Sequence, residues 1–343
     1  MGTEFTAGND EFRAGFAVLA GRPNAGKSTL TNALVGEKIA ITSNRPQTTR
    51  HTIRGIVHRQ DGQLVLVDTP GIHRPRTLLG ERLNDLVSET LSEVDVLGMC
   101  IPADEKIGPG DRYIAAQLAQ VHGSPVVAIV TKTDTVGRRE LTEQLIAVEA
   151  LGREVMAAEF AETERRKGIR ARKKGRSYEA RPVPPDVGFT DVIPVSAVDG
   201  FQVNELAALL ISHMPVSPPL YPDGELTDEP ELTMIAELVR EAALESARDE
   251  LPHSLAAVCE DMIPREGRPE DDPMVDVHVS LYVERPSQKA IVIGKGGSRL
   301  REIGSTARRS IEKLLGTKVY LDLHVKVAKE WQRDPRQLSR LGF

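Results

Sequence analysis

Short apolar runs alternate with longer amphipathic stretches over the first two-thirds of the chain. Residues 16–20 are apolar and stop at Gly21, the pattern of a strand buried on both faces. Further buried strands are predicted at 53–58, 64–67, 94–101, 126–130 and 192–195, with a turn signal at Asp61-Gly62 between the first two. Helices are predicted at 27–35, 79–93, 112–122, 140–151 and 203–213. Strands and helices in alternation predict an α/β fold with a mostly parallel sheet covered on both faces.

The pattern changes after residue 214. Pro215, Pro218, Pro219, Pro222 and Pro230 punctuate 215–231, which reads as an interdomain linker. Beyond it a helix is predicted at 232–249, strands at 254–262 and 274–283, and then a short helix and a glycine loop. A helix at 298–315 and a strand at 319–327 complete an α+β second domain, 232–330. Residues 1–14 are expected to be a disordered start and 331–343 a C-terminal tail, leaving 15–214 as the first domain. Within that domain 153–190 is dense in charge and lacks a sustained apolar stripe. It is expected to be a solvated, mobile insertion, with an extra arm for RNA phosphates as the functional alternative.

Composition narrows the picture without deciding it. A chain of 343 residues has room for two domains, and 4% aromatics means that their cores are mainly aliphatic. The net charge of −6 excludes a uniformly basic surface but not a local basic patch. Cys100 and Cys259 lie far apart with no metal-ligand spacing around either. No apolar run reaches the length of a membrane span.

The candidate chemistry begins at Gly21-Arg22-Pro23-Asn24-Ala25-Gly26-Lys27-Ser28, a P-loop pattern between a predicted strand and helix. Such a loop aims successive backbone N–H groups at phosphate, and the helix end adds its dipole. Candidate nucleotide contacts are Gly21, Asn24, Ala25, Gly26, Lys27, Ser28 and Thr29. Lys27 would reach the β- and γ-phosphates and Ser28 would ligate magnesium. The strand 64–67 runs into Asp68-Thr69-Pro70-Gly71, which supplies a second magnesium ligand in Asp68 and a γ-phosphate contact at the Gly71 N–H. Lys132 and Asp134 follow strand 126–130. The carboxylate can accept from guanine N1–H and the exocyclic amine, a donor pair that adenine lacks. A backbone N–H at Ser196-Ala197 can meet the guanine carbonyl. Asp134 and this turn speak against an ATP-using kinase or ATPase.

In the second domain, Gly294-Lys295-Gly296-Gly297 follows Ile291-Val292-Ile293. A G-x-x-G loop between two helices lets a nucleic-acid backbone approach closely, as in KH domains of the bacterial type, with aliphatic neighbours under the bases. The RNA-binding candidates are Ile291, Ile293, Gly294, Lys295, Gly296, Gly297, Arg299 and Arg301. Residues 285–343 carry 14 Lys/Arg against 5 Asp/Glu, whereas 225–284 carry 4 against 17, so the basic side is the side with the loop.

The nucleotide motifs, in this order, resemble the translation-factor-related P-loop GTPases. Together with Gln47-Thr48-Thr49-Arg50, Tyr282-Val283-Glu284-Arg285 and Gly316-Thr317-Lys318-Val319-Tyr320-Leu321, nearly the whole chain, apart from its start and residues 153–190, resembles the Era family of bacterial ribosome-assembly GTPases. The resemblance implies a GTP-hydrolysing switch that uses GTP/GDP and Mg2+. It would bind small-subunit ribosomal RNA near its 3′ end and assist small ribosomal subunit assembly. It also implies peripheral contact at the inner membrane for a chain expected in the cytoplasm, while no stable homo-oligomer is implied. The alternatives are another ribosome-associated assembly GTPase, or an RNA scaffold that holds nucleotide with little turnover.

The same resemblance makes Thr49 a magnesium ligand in a first switch at about 43–50, and makes Asn24, Lys27, Thr49 and Gly71 the catalytic set. Ile72 stands where Ras-like switches place a water-orienting glutamine. Relatives with asparagine at the position of Asn24 hold potassium beside the phosphates, which admits K+ as a further cofactor. One departure is Thr131, where the family's guanine motif has an asparagine that ties the base loop to the P-loop. Weaker nucleotide binding is the expectation.

Overall fold

The computed structural model describes residues 12–42, 53–68, 70, 78–121, 123–174, 176–246, 254–269 and 271–342. The predicted Thr49 and Gly71, the first switch at 43–50, and residues 1–11 of the expected disordered start lie outside the described residues.

In chain order the elements are β1 (Arg13–Gly21), α1 (Lys27–Val35), β2 (Ile53–His58), β3 (Gly62–Asp68), α2 (Leu78–Glu93), β4 (Val96–Pro102) and α3 (Pro109–Ala119). They continue with β5 (Val126–Thr131), α4 (Arg138–Lys173), β6 (Asp191–Pro194), α5 (Val203–Ser212), α6 (Glu231–Ser246) and β7 (Ala256–Pro264). The remainder are β8 (Met274–Val283), α7 (Pro286–Ile293), α8 (Ser298–Leu315), β9 (Lys318–Val327) and α9 (Pro335–Arg340).

The first sheet has the order β2-β3-β1-β4-β5-β6, and β1, β3, β4, β5 and β6 run parallel. Every residue of β3, β4 and β5 is buried, so these strands read as unbroken apolar runs rather than alternating ones. Leu30 and Leu34 of α1 pack with Leu206 and Leu210 of α5 against Ala17, Leu19, Leu64 and Leu66 of the sheet. The helices α3 and α4 contact β4 and β5. A parallel sheet leaves its loops at the carboxyl ends of the strands, where β1, β3 and β5 deliver Gly21, Asp68 and Thr131.

The second sheet has the order β7-β8-β9, with β7 antiparallel and β9 parallel to the central β8. The parallel pair requires a crossover, which α7 and α8 supply. Ile303, Ala307 and Ile311 of α8 and Ile235, Val239 and Ala242 of α6 fill the core over this sheet.

Contacts divide the chain into two units: Met1–Glu37, Arg54–Asp68 and Ser88–Thr227, and separately Lys38–Ile53, Thr69–Val87 and Asp228–Phe343. Two segments from the predicted first domain therefore group with the second. Within that unit Glu241 of α6, 5% exposed, accepts from the Thr42 backbone N–H at 2.8 Å and from Lys38 Nζ at 2.5 Å. Leu79 and Leu83 of α2 pack with Ala256, Tyr282, Trp331, Leu338 and Leu341.

Four expectations change. Residues 13–14 begin β1 rather than belonging to a disordered start. The predicted linker 215–231 is tied down: Ala14 N–H donates to Pro215 O, Ile56 N–H to Leu226 O, and Gln63 Oε1 accepts from the Leu220 and Tyr221 N–H groups. The predicted tail is packed, with Trp331 fully buried and its indole N–H donating to Ser254 O at 3.1 Å.

The largest change concerns 153–190. The helix predicted at 140–151 runs on through Lys173 as one helix of 36 residues, about 54 Å long. Local ion pairs hold its exposed turns, Arg153 with Glu149 and both Arg165 and Arg166 with Glu162, so no apolar stripe is needed. The segment after it folds back. Glu164, 2% exposed, accepts from Tyr178 Oη at 2.6 Å and from the Arg181 N–H at 3.0 Å, and Arg181 lies over the Phe160 ring.

Candidate functional site: a nucleotide cradle and a glycine-loop cleft

At the end of β1 the chain curls through Arg22 to Gly26 before α1 starts. Asn24 and Gly26 both take left-handed conformations, φ 63° and φ 83°, and Gly26 is the N-cap. That geometry turns the first N–H groups of α1 outward as an anion cradle. Lys27 is 7% exposed and its Nζ donates to the carbonyls of Gly21 at 3.1 Å and Arg22 at 3.0 Å. Burial pushes its pKa below the usual lysine range, and the nearby Asp68 carboxylate opposes that shift. Ser28 Oγ donates to Asp68 Oδ2 at 2.7 Å, which brings together the two predicted magnesium ligands that are described. A hydroxyl and a fully buried carboxylate side by side are hard oxygen donors suited to magnesium. Ala25 is buried beneath the loop, and Thr29 lies exposed in the first turn of α1.

The base-side loops are locked to this cradle. Thr131 Oγ1, buried at the end of β5, donates to Ala25 O at 2.8 Å. The hydroxyl therefore makes a tie between base loop and P-loop without the amide of the usual asparagine. Lys132 adopts φ 58°, and its Nζ lies 3.8 Å from Asp104 and 3.9 Å from Glu105. Ser196 Oγ donates to Asp134 Oδ1 at 2.8 Å, and the Ser196 N–H donates to Phe201 O at 3.0 Å. Asp134 is exposed, with one oxygen oriented by Ser196. Ala197 follows in the same turn, half-buried.

Two roles escape a reading of the sequence. Ser196 positions Asp134 through its side chain, where only a backbone contact is expected. Arg22 donates to Asp111 of α3 at 2.7 Å and pairs with Glu105 at 3.0 Å, bracing the P-loop from outside. Asp111 is 1% exposed and separated from Arg22 by 89 positions, so no local pattern announces the pair.

In the C-terminal unit, α7 ends at Ile293 and α8 begins at Ser298. Between them Gly294, Gly296 and Gly297 all have positive φ, 71°, 59° and 75°. A Cβ at Gly296 would meet nothing within 4 Å, so its lack of a side chain serves conformation and open access rather than internal packing. Lys295 is exposed at the tip. Arg299 Nη1 donates to Ile291 O at 3.0 Å, and Arg301 Nη2 donates to Gly296 O at 2.8 Å, so both guanidinium groups brace the loop. Ile291 and Ile293 pack partly into the core. Beside the loop opens a cleft of about 520 Å³, with Leu300 and Leu321 among its apolar lining and Arg301 and Arg308 among its cations. Tyr320, 51% exposed, also lines it, and the Arg265 guanidinium lies 4.7 Å from its ring centroid. Among the described residues no group of three or more His, Cys, Asp or Glu could hold a metal ion, and no helix is long and apolar enough to cross a membrane.

A family model described as 50S ribosome-binding GTPase matches residues 16–132, and one described as KH domain matches residues 250–332. The chain is 59% identical over 331 residues to GTPase Era of Streptomyces coelicolor, covering 96% of this chain and 95% of that protein. It is 59% identical over 334 residues to GTPase Era of Mycolicibacterium smegmatis, covering 97% and 99%. A crystal structure of Era in complex with MgGDPNP and nucleotides 1506–1542 of 16S ribosomal RNA superposes with a TM-score of 0.81 at 30% identity, covering 96% of this chain and 99% of that one. An Aquifex aeolicus Era variant bound to GDP·AlF4− gives a TM-score of 0.80 at the same identity and coverage. With both domain models matched and near-complete relatives at 59% identity, the chain belongs to the Era family of GTPases.

Proposed function

We propose that this protein is a GTP-hydrolysing switch that holds small-subunit ribosomal RNA near its 3′ end and assists small ribosomal subunit assembly. The observation that carries the reading is one chain holding both an interlocked guanine-nucleotide cradle and an open glycine-loop cleft. A relative of matching fold has been solved with MgGDPNP and a 16S ribosomal RNA segment together. Lys27 and the N–H groups at the start of α1 bind the phosphates, and Asp134 with the Ser196-Ala197 turn selects guanine. Magnesium, held by Ser28, Asp68 and Thr49, neutralises phosphate charge when bound. The Gly71 N–H meets the γ-phosphate. The glycine loop admits the RNA backbone, with Lys295 nearby and Arg299 and Arg301 holding the loop open. The protein works in the cytoplasm, with peripheral contact at the inner membrane.

Asn24 is the residue we assign to a potassium ion beside the phosphates, because Ile72 cannot orient water by hydrogen bonding. Its left-handed backbone holds the exposed side chain on the outer turn of the P-loop.

The deciding experiment measures GTP and ATP hydrolysis in matched sodium and potassium buffers, together with binding of an RNA spanning the 3′ end of the small-subunit RNA. GTP-specific turnover and RNA binding are expected, with stimulation by potassium that Asn24→Ala removes. Turnover of ATP at the GTP rate, or no affinity for the RNA, would sink the reading. Equal rates in the two salts would remove only the potassium assignment.

A further inference from the structure

The arm formed by the distal half of α4 and its folded-back strap has no part in either site described above. Residues Gln144, Val148, Leu151 and Gly152 are the buried positions of the proximal half, and beyond them only Glu164 is buried. Charges are mixed in sign along α4 up to Glu164, as on an ordinary solvated helix. The pattern then stops. From Arg165 to Arg176 there are eight cations, Arg165, Arg166, Lys167, Arg170, Arg172, Lys173, Lys174 and Arg176, and no acid.

The two acids of α4 that directly precede the cluster are consumed internally, and Glu179 of the strap lies exposed. Glu162 pairs with Arg165 and Arg166, and Glu164 takes Lys167, Tyr178 and Arg181. The side chains of Arg170, Arg172, Lys173, Lys174 and Arg176 are exposed and have no partner among the described residues. Cations near a helix C-terminus complement its dipole, but one or two in the last turn suffice for that. Here Arg170 stands three and four residues before Lys173 and Lys174, like-charge spacings that an isolated helix avoids. The protein has built and pinned a stalk whose exposed end concentrates positive charge, in a chain whose net charge is −6.

We propose that the distal end of α4, with Arg176, is a second RNA-binding surface that takes ribosomal RNA phosphates independently of the glycine loop. The proposal rests on the reading of the chain as a ribosomal-RNA binder. Arginine is prominent in the cluster, and its planar fork suits phosphate oxygens. An interfacial membrane helix would pair its cations with an apolar face, whereas Ile169 is the single large exposed apolar residue among the described positions from 153 to 176.

The test uses the full chain with five changes, Arg170→Gln, Arg172→Gln, Lys173→Gln, Lys174→Gln and Arg176→Gln, and purified small ribosomal subunits. Affinity is expected to fall about tenfold to a hundredfold. The slope of log affinity against log salt should shrink by about 0.7–0.9 for each phosphate that the variant no longer neutralises. Arg170→Lys with Arg172→Lys and Arg176→Lys keeps the charge and is expected to retain most of the binding. In a Gly296→Asp, Gly297→Asp background the residual, salt-sensitive binding to subunits should disappear with the five changes. Unchanged affinity and slope in both backgrounds would overturn the proposal. So would a loss confined to vesicles of phosphatidylglycerol and phosphatidylethanolamine, which would make the arm a membrane contact. If the wild-type chain fails even to bind the 3′-end RNA, the underlying reading falls and takes the proposal with it.

Discussion

The P-loop region and the glycine loop are both proposed to take phosphate on their backbone, yet they are held in opposite ways. The nucleotide loops are fastened, within and between themselves, by side-chain hydrogen bonds: Lys27 to Gly21, Ser28 to Asp68, Thr131 to Ala25, Ser196 to Asp134. The glycine loop is held by two guanidinium groups on carbonyls, and its central glycine faces open space. A site that must recognise one compact ligand gains from fixing its donors and acceptors beforehand. A site that must admit a polymer gains from leaving the approach clear, and it reads the chain through access and charge.

That contrast is broken most severely at Asp134. Asp134→Ala removes the proposed acceptor for two guanine donors, and GTP affinity should fall about a hundredfold or more by titration calorimetry. Retained affinity would show that the base is read elsewhere. Next in size, Gly296→Asp with Gly297→Asp should cut RNA affinity at least tenfold while GTP affinity stays within twofold. A parallel loss of GTP binding would mean that the two sites are not separable. Thr131→Val keeps the shape and deletes the donor to Ala25 O, at a cost of about 1 kcal/mol, roughly fivefold in nucleotide affinity. Thr131→Asn should leave affinity within about threefold of wild type, because the hydroxyl already makes the tie. A large gain on restoring asparagine would refute that equivalence.

The smallest effect concerns the arm, which is held by charge rather than by packing. Its hydrogen bonds pull the Glu164 pKa far below the usual carboxylate range, the Arg181 N–H and the Tyr178 hydroxyl foremost, and Arg165 and Arg166 bring Glu162 down to about 2. A carboxylate lowered on folding stabilises fully above its unfolded value near 4.5 and progressively less as pH falls toward the folded one. Amide exchange at 176–181, corrected for intrinsic rates, should therefore quicken between pH 5 and pH 3, about the window in which these groups begin to protonate. Glu164→Gln should show the fast exchange already at neutral pH. Exchange independent of both would mean that packing holds the strap.

The parallel sheet and the order of the second domain are legible in the sequence because their signals are local: apolar runs of strand length, and glycines at fixed spacing. Helix α1, strand β8 and helix α8 occupy the residues that their patterns predict. The arm is not legible in this way. Its stability comes from i,i+3 and i,i+4 charge pairs and from one carboxylate reached by a return segment, none of which leaves an apolar stripe. The segment 215–231 reads as a free linker for a related reason. Proline punctuation marks where a chain cannot form helix, but it says nothing of backbone donors finding partners such as Gln63. In the nucleotide site, Thr131 shows the limit of motif reading: the residue type departs, while the bond it makes serves the same tie.

Trp331 has a consequence of an optical kind. It is the chain's single tryptophan, fully buried, in a cluster shared with Leu79 and Leu83 of α2. Those leucines follow closely on the Asp68-Thr69-Pro70-Gly71 segment that faces the γ-phosphate in the proposed switch. The protein thus carries its own fluorophore at the place where α2 docks. A shift of α2 on nucleotide exchange would change the polarity around one indole, readable in real time from the emission of the unlabelled chain.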